Sequence, residues 1–173
     1  MKKYTKMNGF TLLEVVAILV ILSIITVLAV SRFSSNQYKL IAARDALVSH
    51  LRLAQSRAMS TSVDSVNPSD WGVRFISTTQ YHLFYCNQAS TCDPTVAANQ
   101  QAFLGADSII VNITNNVQVT NGALVLAFDR FGTPFIDATL TTKLTSQLTL
   151  TLKDNNGNTM TINITPETGM ISS

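Results

Sequence analysis

The chain has 173 residues, 46% hydrophobic and only 13% charged, with a formal net charge of +2. That length suits one domain plus an anchor, and removing the first 31 or so residues still leaves enough chain for a modest core. Lys2, Lys3 and Lys6 all lie before Phe10, so without them the formal charge is 2 − 3 = −1, which argues against a nucleic-acid surface.

From Phe10 to Val30 the chain runs 21 residues with one charge, Glu14, near the front. As a helix this stretch spans roughly 32 Å, close to the hydrocarbon thickness of a bilayer. An ionised carboxylate at the bilayer centre costs about 2.5–3.5 kcal/mol or more, so Glu14 calls for a partner or a processing role. With three lysines before the run and Arg32 after it, the positive-inside bias puts the amino terminus in the cytoplasm and the body across the membrane. A secretory signal peptide is the rival, with Ala29-Val30-Ser31 as its small-x-small site; the length of the run and Glu14 weigh against it.

Helical periodicity continues beyond the apolar run. Leu40, Ala43, Leu47, Leu51, Ala54 and Ala58 recur at three- and four-residue steps, with Val48 alongside, and predict an amphipathic helix seated on a sheet. Arg44, Arg52 and Arg57 read as a solvated face in preference to a DNA-binding stripe, and His50 as a surface residue in preference to a ligand. The helix should fade near Ser60-Thr61-Ser62.

Strands then dominate. Trp71–Ile76 and Tyr81–Cys86 read as a hairpin with Val73 and Phe75 on one face and Leu83 and Tyr85 opposite. Residues 109–113 and 117–119 flank Asn115-Asn116, and 124–128 is an apolar strand before a turn at 129–134. The runs 147–153 and 158–165 alternate around Asn156-Gly157, a hairpin signal read here as a type I′ turn. Asp154, Asn156 and Asn158 also resemble the start of a calcium loop, but Thr159 and Thr165 stand where glycine and glutamate are needed.

Cys86 and Cys92 are six positions apart in a polar loop. The spacing is not C-x-x-C and no histidine completes a zinc set, so a structural disulfide outside the cytoplasm is preferred to a redox or metal pair. So small a loop is worth about 2–2.5 kcal/mol in the chain-entropy model. His50 and His82 form no Ser–His–acid set, and phosphate loops are absent, so neither enzyme activity, cofactor nor metal is expected.

Gly9-Phe10-Thr11-Leu12-Leu13-Glu14-Val15-Val16, behind a basic leader, resembles the class III signal of type IV prepilins. The resemblance implies an α+β, type IV pilin-like fold: a long amino-terminal helix whose second half packs on an antiparallel head. It also implies cleavage by prepilin peptidase between Gly9 and Phe10, methylation of the new terminus at Phe10, and a glutamate, Glu14, that a neighbouring subunit's Phe10 ammonium neutralises in the filament. The corresponding segments are a leader over 1–9, a transmembrane and filament-core helix over 10–31, an amphipathic second half over 32–62 and a β-rich periplasmic head over 63–173. Many pilins carry proline after the apolar run; here Ser31 and Arg32 follow it, which predicts a straighter helix.

Residues 47–58, 71–75, 128–134 and 162–171 further resemble minor pilins and pseudopilins of the GspH/FimT type, and the Arg-Phe followed by Ala-Arg-Asp-Ala-Leu resembles the mannose-sensitive haemagglutinin (MSHA) minor pilin C group. Expected partners are prepilin peptidase, other pilins of the same filament and the inner membrane, before display on a pilus at the cell surface. A type II secretion pseudopilin and a DNA-uptake pilin are the alternatives. No cation follows Lys153, so the carboxyl-terminal basic patch of some FimT-type proteins is missing.

Overall fold

The computed structural model describes residues 11–32, 35–61, 70–113, 116–120 and 124–173. The chain separates into two compact units, Met1–Ser35 and Asn36–Ser173. Helix α1 spans Leu12–Arg32 and helix α2 spans Ser35–Thr61. The expected straight passage from one to the other runs through residues 33 and 34, which lie outside the described residues.

In the larger unit, Leu40, Ala43, Leu47, Val48, Leu51, Ala54 and Ala58 of α2 are all buried. Their spacing is one face of a 3.6-residue helix, and that face meets the sheets. The strands are β1 (Asp70–Phe75), β2 (Gln80–Cys86), β3 (Gln100–Gln101), β4 (Ile110–Asn112), β5 (Val117–Val119), β6 (Val125–Phe128), β7 (Pro134–Phe135), β8 (Leu148–Asp154), β9 (Thr159–Ile164) and β10 (Ile171–Ser172). They form two antiparallel sheets, one ordered β3-β2-β1-β6-β7 with β4 also on β2, the other β10-β9-β8-β5. Val73, Phe75, Leu83, Leu126 and Phe128 of the first sheet join Val119, Leu150, Leu152, Ile162 and Ile164 of the second in one core with the α2 stripe. The architecture is α+β with a helix on antiparallel sheets, consistent with a type IV pilin-like fold.

Register differs from the sequence reading in detail. Val73 does face Leu83, but Phe75 faces Tyr81, and Tyr85 faces Trp71. Strands β4 and β5 do not pair with each other: β4 extends the first sheet on β2, whereas β5 joins the second on β8. The turn between β8 and β9 is not type I′, which needs positive φ at both central residues. Only Gly157 has positive φ there, at 89°. The amide of Gly157 donates to the carbonyl of Asp154 at 3.1 Å, closing a type I-like turn that Gly157 follows in the left-handed region. The Asp154 carboxylate accepts from the amides of Asn156 and Asn158 and from the Asn158 side chain, so local hydrogen bonding selects this turn.

Polar side chains of α2 fasten it to the distal turns. Gln55 Nε2 lies 3.0, 3.1 and 3.2 Å from the carbonyls of Gly132, Thr168 and Gly169. Arg52 donates to the carbonyl of Ile171 at 2.9 Å, and the Trp71 indole donates to the Thr61 hydroxyl at 3.0 Å. The carboxyl-terminal β10, which the sequence pattern did not predict, is thus held by its β9 partner and by the helix.

Candidate assembly helix and polar clusters of the head

Helix α1 is preceded by Thr11, whose hydroxyl and carbonyl both accept from the Glu14 amide, at 3.3 and 3.1 Å. This is the side-chain satisfaction that a helix amino terminus requires. Farther on, Ser23 and Thr26 donate back to the carbonyls of Val20 and Leu22, both at 2.7 Å, so these hydroxyls are satisfied within the helix. Glu14 differs. Its carboxylate has no hydrogen-bond partner among the described residues, and it stands exposed in a sleeve of exposed Leu, Val and Ile side chains, with Leu12 at 84% and Leu13 at 81%.

A contiguous apolar surface of this kind exceeds what a monomeric soluble protein leaves bare, and calls for lipid or protein against it. Among the described residues no helix is long and apolar enough to cross a membrane. The side chains described on α1 run only from Leu12 to Thr26, however, whereas the apolar run in the sequence continues to Val30. Gly9 and Phe10 lie outside the described residues.

The three arginines of α2 each make a local contact. Arg44 pairs with Asp45 at 2.8 Å, Arg52 holds Ile171, and the Arg57 guanidinium sits 4.8 Å from the Trp71 ring centroid. They occupy separate local contacts rather than a common stripe. His50 is not a plain surface residue. Its Nδ1 lies 2.8 Å from the Tyr81 hydroxyl and its ring stacks on Phe103 at 3.9 Å, and burial lowers its pKa. The helical spacing of His50 three residues after Leu47 placed it beside the apolar stripe, which was the signal to weigh. His82 is fully buried, with Nε2 3.0 Å from the Pro94 carbonyl; burial is the main cause that lowers its pKa as well.

Cys86 and Cys92 are joined as a disulfide with Cα atoms 5.5 Å apart. The loop between them and Gln100 is less open than its composition suggests, since it contains two short 3₁₀ turns and buries Ala89, Cys92 and Pro94. The two cysteines form a second, smaller core with Phe84, Ala127 and Ala138 on the face of the first sheet away from α2. Asp70 faces Cys86 across β1 and β2. It is fully buried, and neither carboxylate oxygen has a hydrogen-bond partner among the described residues. A carboxylate oxygen of Asp70 and the two sulfurs lie within 4.8 Å of one another, but sulfurs bonded to each other are not a thiolate ligand set.

Burial pushes the Asp70 pKa up to about 7 from 3.8; its own backbone amide partly opposes the rise, and the charge of Asp137 adds to it to a lesser degree. A carboxyl whose folded pKa is raised lets the folded state hold the proton longer than the unfolded one. Stability is therefore lost as pH rises from about 4 to 7, on the order of 4 kcal/mol once Asp70 is ionised. Asp70→Asn is expected to unfold at the same denaturant concentration as the native chain at pH 4 and at a higher one at pH 8. Equilibrium denaturation at the two pH values checks this, and an equal shift at both would contradict it.

Residues 4–30 match the family model described as the prokaryotic N-terminal methylation motif. The chain carries a prepilin-type signal. The match takes in Gly9, Phe10, Glu14 and the described start of α1, and it supports a type IV pilin-like prepilin, processed by prepilin peptidase and assembled with other pilins. It ends at Val30, before the head. No curated protein and no solved structure matches the chain.

Proposed function

We propose that the chain is a minor type IV pilin. Prepilin peptidase cuts between Gly9 and Phe10 and methylates Phe10, the apolar helix waits in the inner membrane with the head in the periplasm, and the same helix then enters a filament core. The observation that carries this reading is Glu14, a carboxylate with no partner among the described residues, near the start of a bare apolar helix inside the methylation-motif match. Such a helix is costly to leave in water and gains about 25 cal/mol per Å² when lipid or neighbouring helices cover it. Glu14 then sets register by meeting the Phe10 ammonium of the adjacent subunit.

Further support comes from the head. Arg52 and Arg57 are committed to internal contacts, which favours a structural role over DNA uptake. Filaments sheared from cells are expected to yield peptides of this head at a small fraction of the amount of the major pilin. Recovery only in the membrane fraction, from cells that carry intact filaments, would overturn the proposal.

A further inference from the structure

The carboxylate of Asp70 is fully buried at the start of β1. It forms no hydrogen bond among the described residues, it lies against a disulfide, and in its ionised form it destabilises the head. Against the same disulfide lies a polar cavity of about 270 Å³, lined by Cys86, Asn87, Gln88, Thr91, Cys92 and Asn99. A nucleophile arriving through this cavity finds Cys92, at 8% exposed, more accessible than Cys86, at 2%.

We propose that Cys86, Cys92 and Asp70 form a thiol–disulfide exchange site for a dithiol reductant, in which Asp70 hands a proton to the sulfur of Cys86 as the bond opens and takes it back as the bond closes. The thiolate of the dithiol attacks Cys92 Sγ from the cavity, forming a mixed disulfide and breaking the Cys86–Cys92 bond. The electron pair of that bond leaves on Cys86 Sγ, and Asp70 protonates it. The second sulfur of the dithiol, as thiolate, then attacks the mixed disulfide and departs with the first as a cyclic disulfide. Cys92 leaves as thiolate and takes a proton from cavity water, and Asp70 regains its proton from solvent. Two electrons pass from the dithiol to the protein, and the two protons lost by the dithiol to solvent are matched by those gained at Cys86 and Cys92.

Geometry gives Asp70 this role because its register partner on β2 is Cys86, the less exposed of the two cysteines. A general acid placed near the leaving group supplies its proton without waiting for solvent. The other charged and titratable groups around it are Asp137, Arg74 and His82. Burial opposes ionisation of Asp137, but hydrogen bonds from Thr141, Thr139 and Thr142 outweigh it and hold Asp137 anionic. Arg74 and His82 lie two register pairs along the same face, beyond Gly72 and Phe84, and burial lowers the pKa of His82, favouring its neutral form.

The test follows opening of the disulfide in the full-length chain in detergent micelles, with dithiothreitol as the dithiol and alkylation mass shift as the readout. The rate constant per dithiothreitol thiolate is expected to fall about tenfold between pH 6 and pH 8 for the native chain. For Asp70→Asn it is expected to be flat with pH and about tenfold lower at pH 6, with Trp71 fluorescence unchanged as the sign of a folded head. A flat native profile, a variant that behaves like the native chain, or a rate independent of dithiothreitol concentration would each overturn the proposal. If Asp70→Asn does not fold, the native profile alone decides.

Discussion

Glu14→Ala is expected to lower the amount of this chain in sheared filaments at least tenfold while leaving its amount in the membrane unchanged or raised. The two environments respond with opposite signs. In a bilayer the substitution removes a polar group from an apolar helix, which favours insertion. In a filament core it removes the partner of a buried ammonium, and breaking a buried pair costs about 3–5 kcal/mol, whereas a tenfold loss needs only about 1.4. Glu14→Asp, which keeps the charge on a shorter side chain, is expected to fall between. Quantitative immunoblots of sheared and membrane fractions make the comparison, and equal incorporation of Glu14→Ala would remove register-setting from the account.

Gly72→Ala is expected to destabilise the head by about 3 kcal/mol, the upper end of what overpacking usually costs. Gly72 lies in β1 between β2 and β6, opposite Phe84 and Ala127. A Cβ at this position would come within 2.4 Å of Phe84 Cζ and 2.5 Å of the Leu126 carbonyl oxygen. The ring of Phe84 therefore occupies the place of the missing side chain, and it is itself fully buried, with Ala127 and the disulfide in the same small core. The ring has no free volume to retreat into, and the Leu126 carbonyl belongs to a strand fixed by its ladder. Thermal unfolding of the variant should fall by several degrees or more, and Phe84→Leu in the same chain should recover part of the loss. A melting temperature within a degree of the native one would show that β1 can shift, and that the second core is looser than its burial indicates.

Much of the helix and sheet arrangement was legible because it rests on periodicity. The 3.6-residue stripe of α2 is buried at every position from Leu40 to Ala58 that the spacing picked out, and β8 and β9 alternate as their sequence does. Less legible were choices that depend on partners far away in the chain. Nothing local tells β4 and β5 to enter different sheets, since each is three residues long and paired through strands that precede or follow it by dozens of positions. The β8–β9 turn misled for a different reason. Asn-Gly favours type I′, but the preceding Asp154 captures the amides of Asn156 and Asn158 and leaves positive φ to Gly157 alone.

The polar interior divides in the same way. Glu14 was conspicuous because a charge in an apolar run contrasts with its neighbours. Asp70 was not, because aspartate after Asn67-Pro68-Ser69 reads as loop chemistry until β1 places it opposite Cys86. His50 was read as a surface residue and His82 only as lacking a catalytic set, and the burial of His50 follows from Tyr81 and Phe103, which are remote from it along the chain.

The most direct measurement is the intact mass and amino-terminal sequence of the mature chain recovered from cells. Removal of residues 1–9 with one methyl group on the new terminus at Phe10 is the expected result. A mature chain that begins elsewhere, such as at Arg32 after a secretory cleavage, or one that retains Met1 through Gly9, would contradict the account.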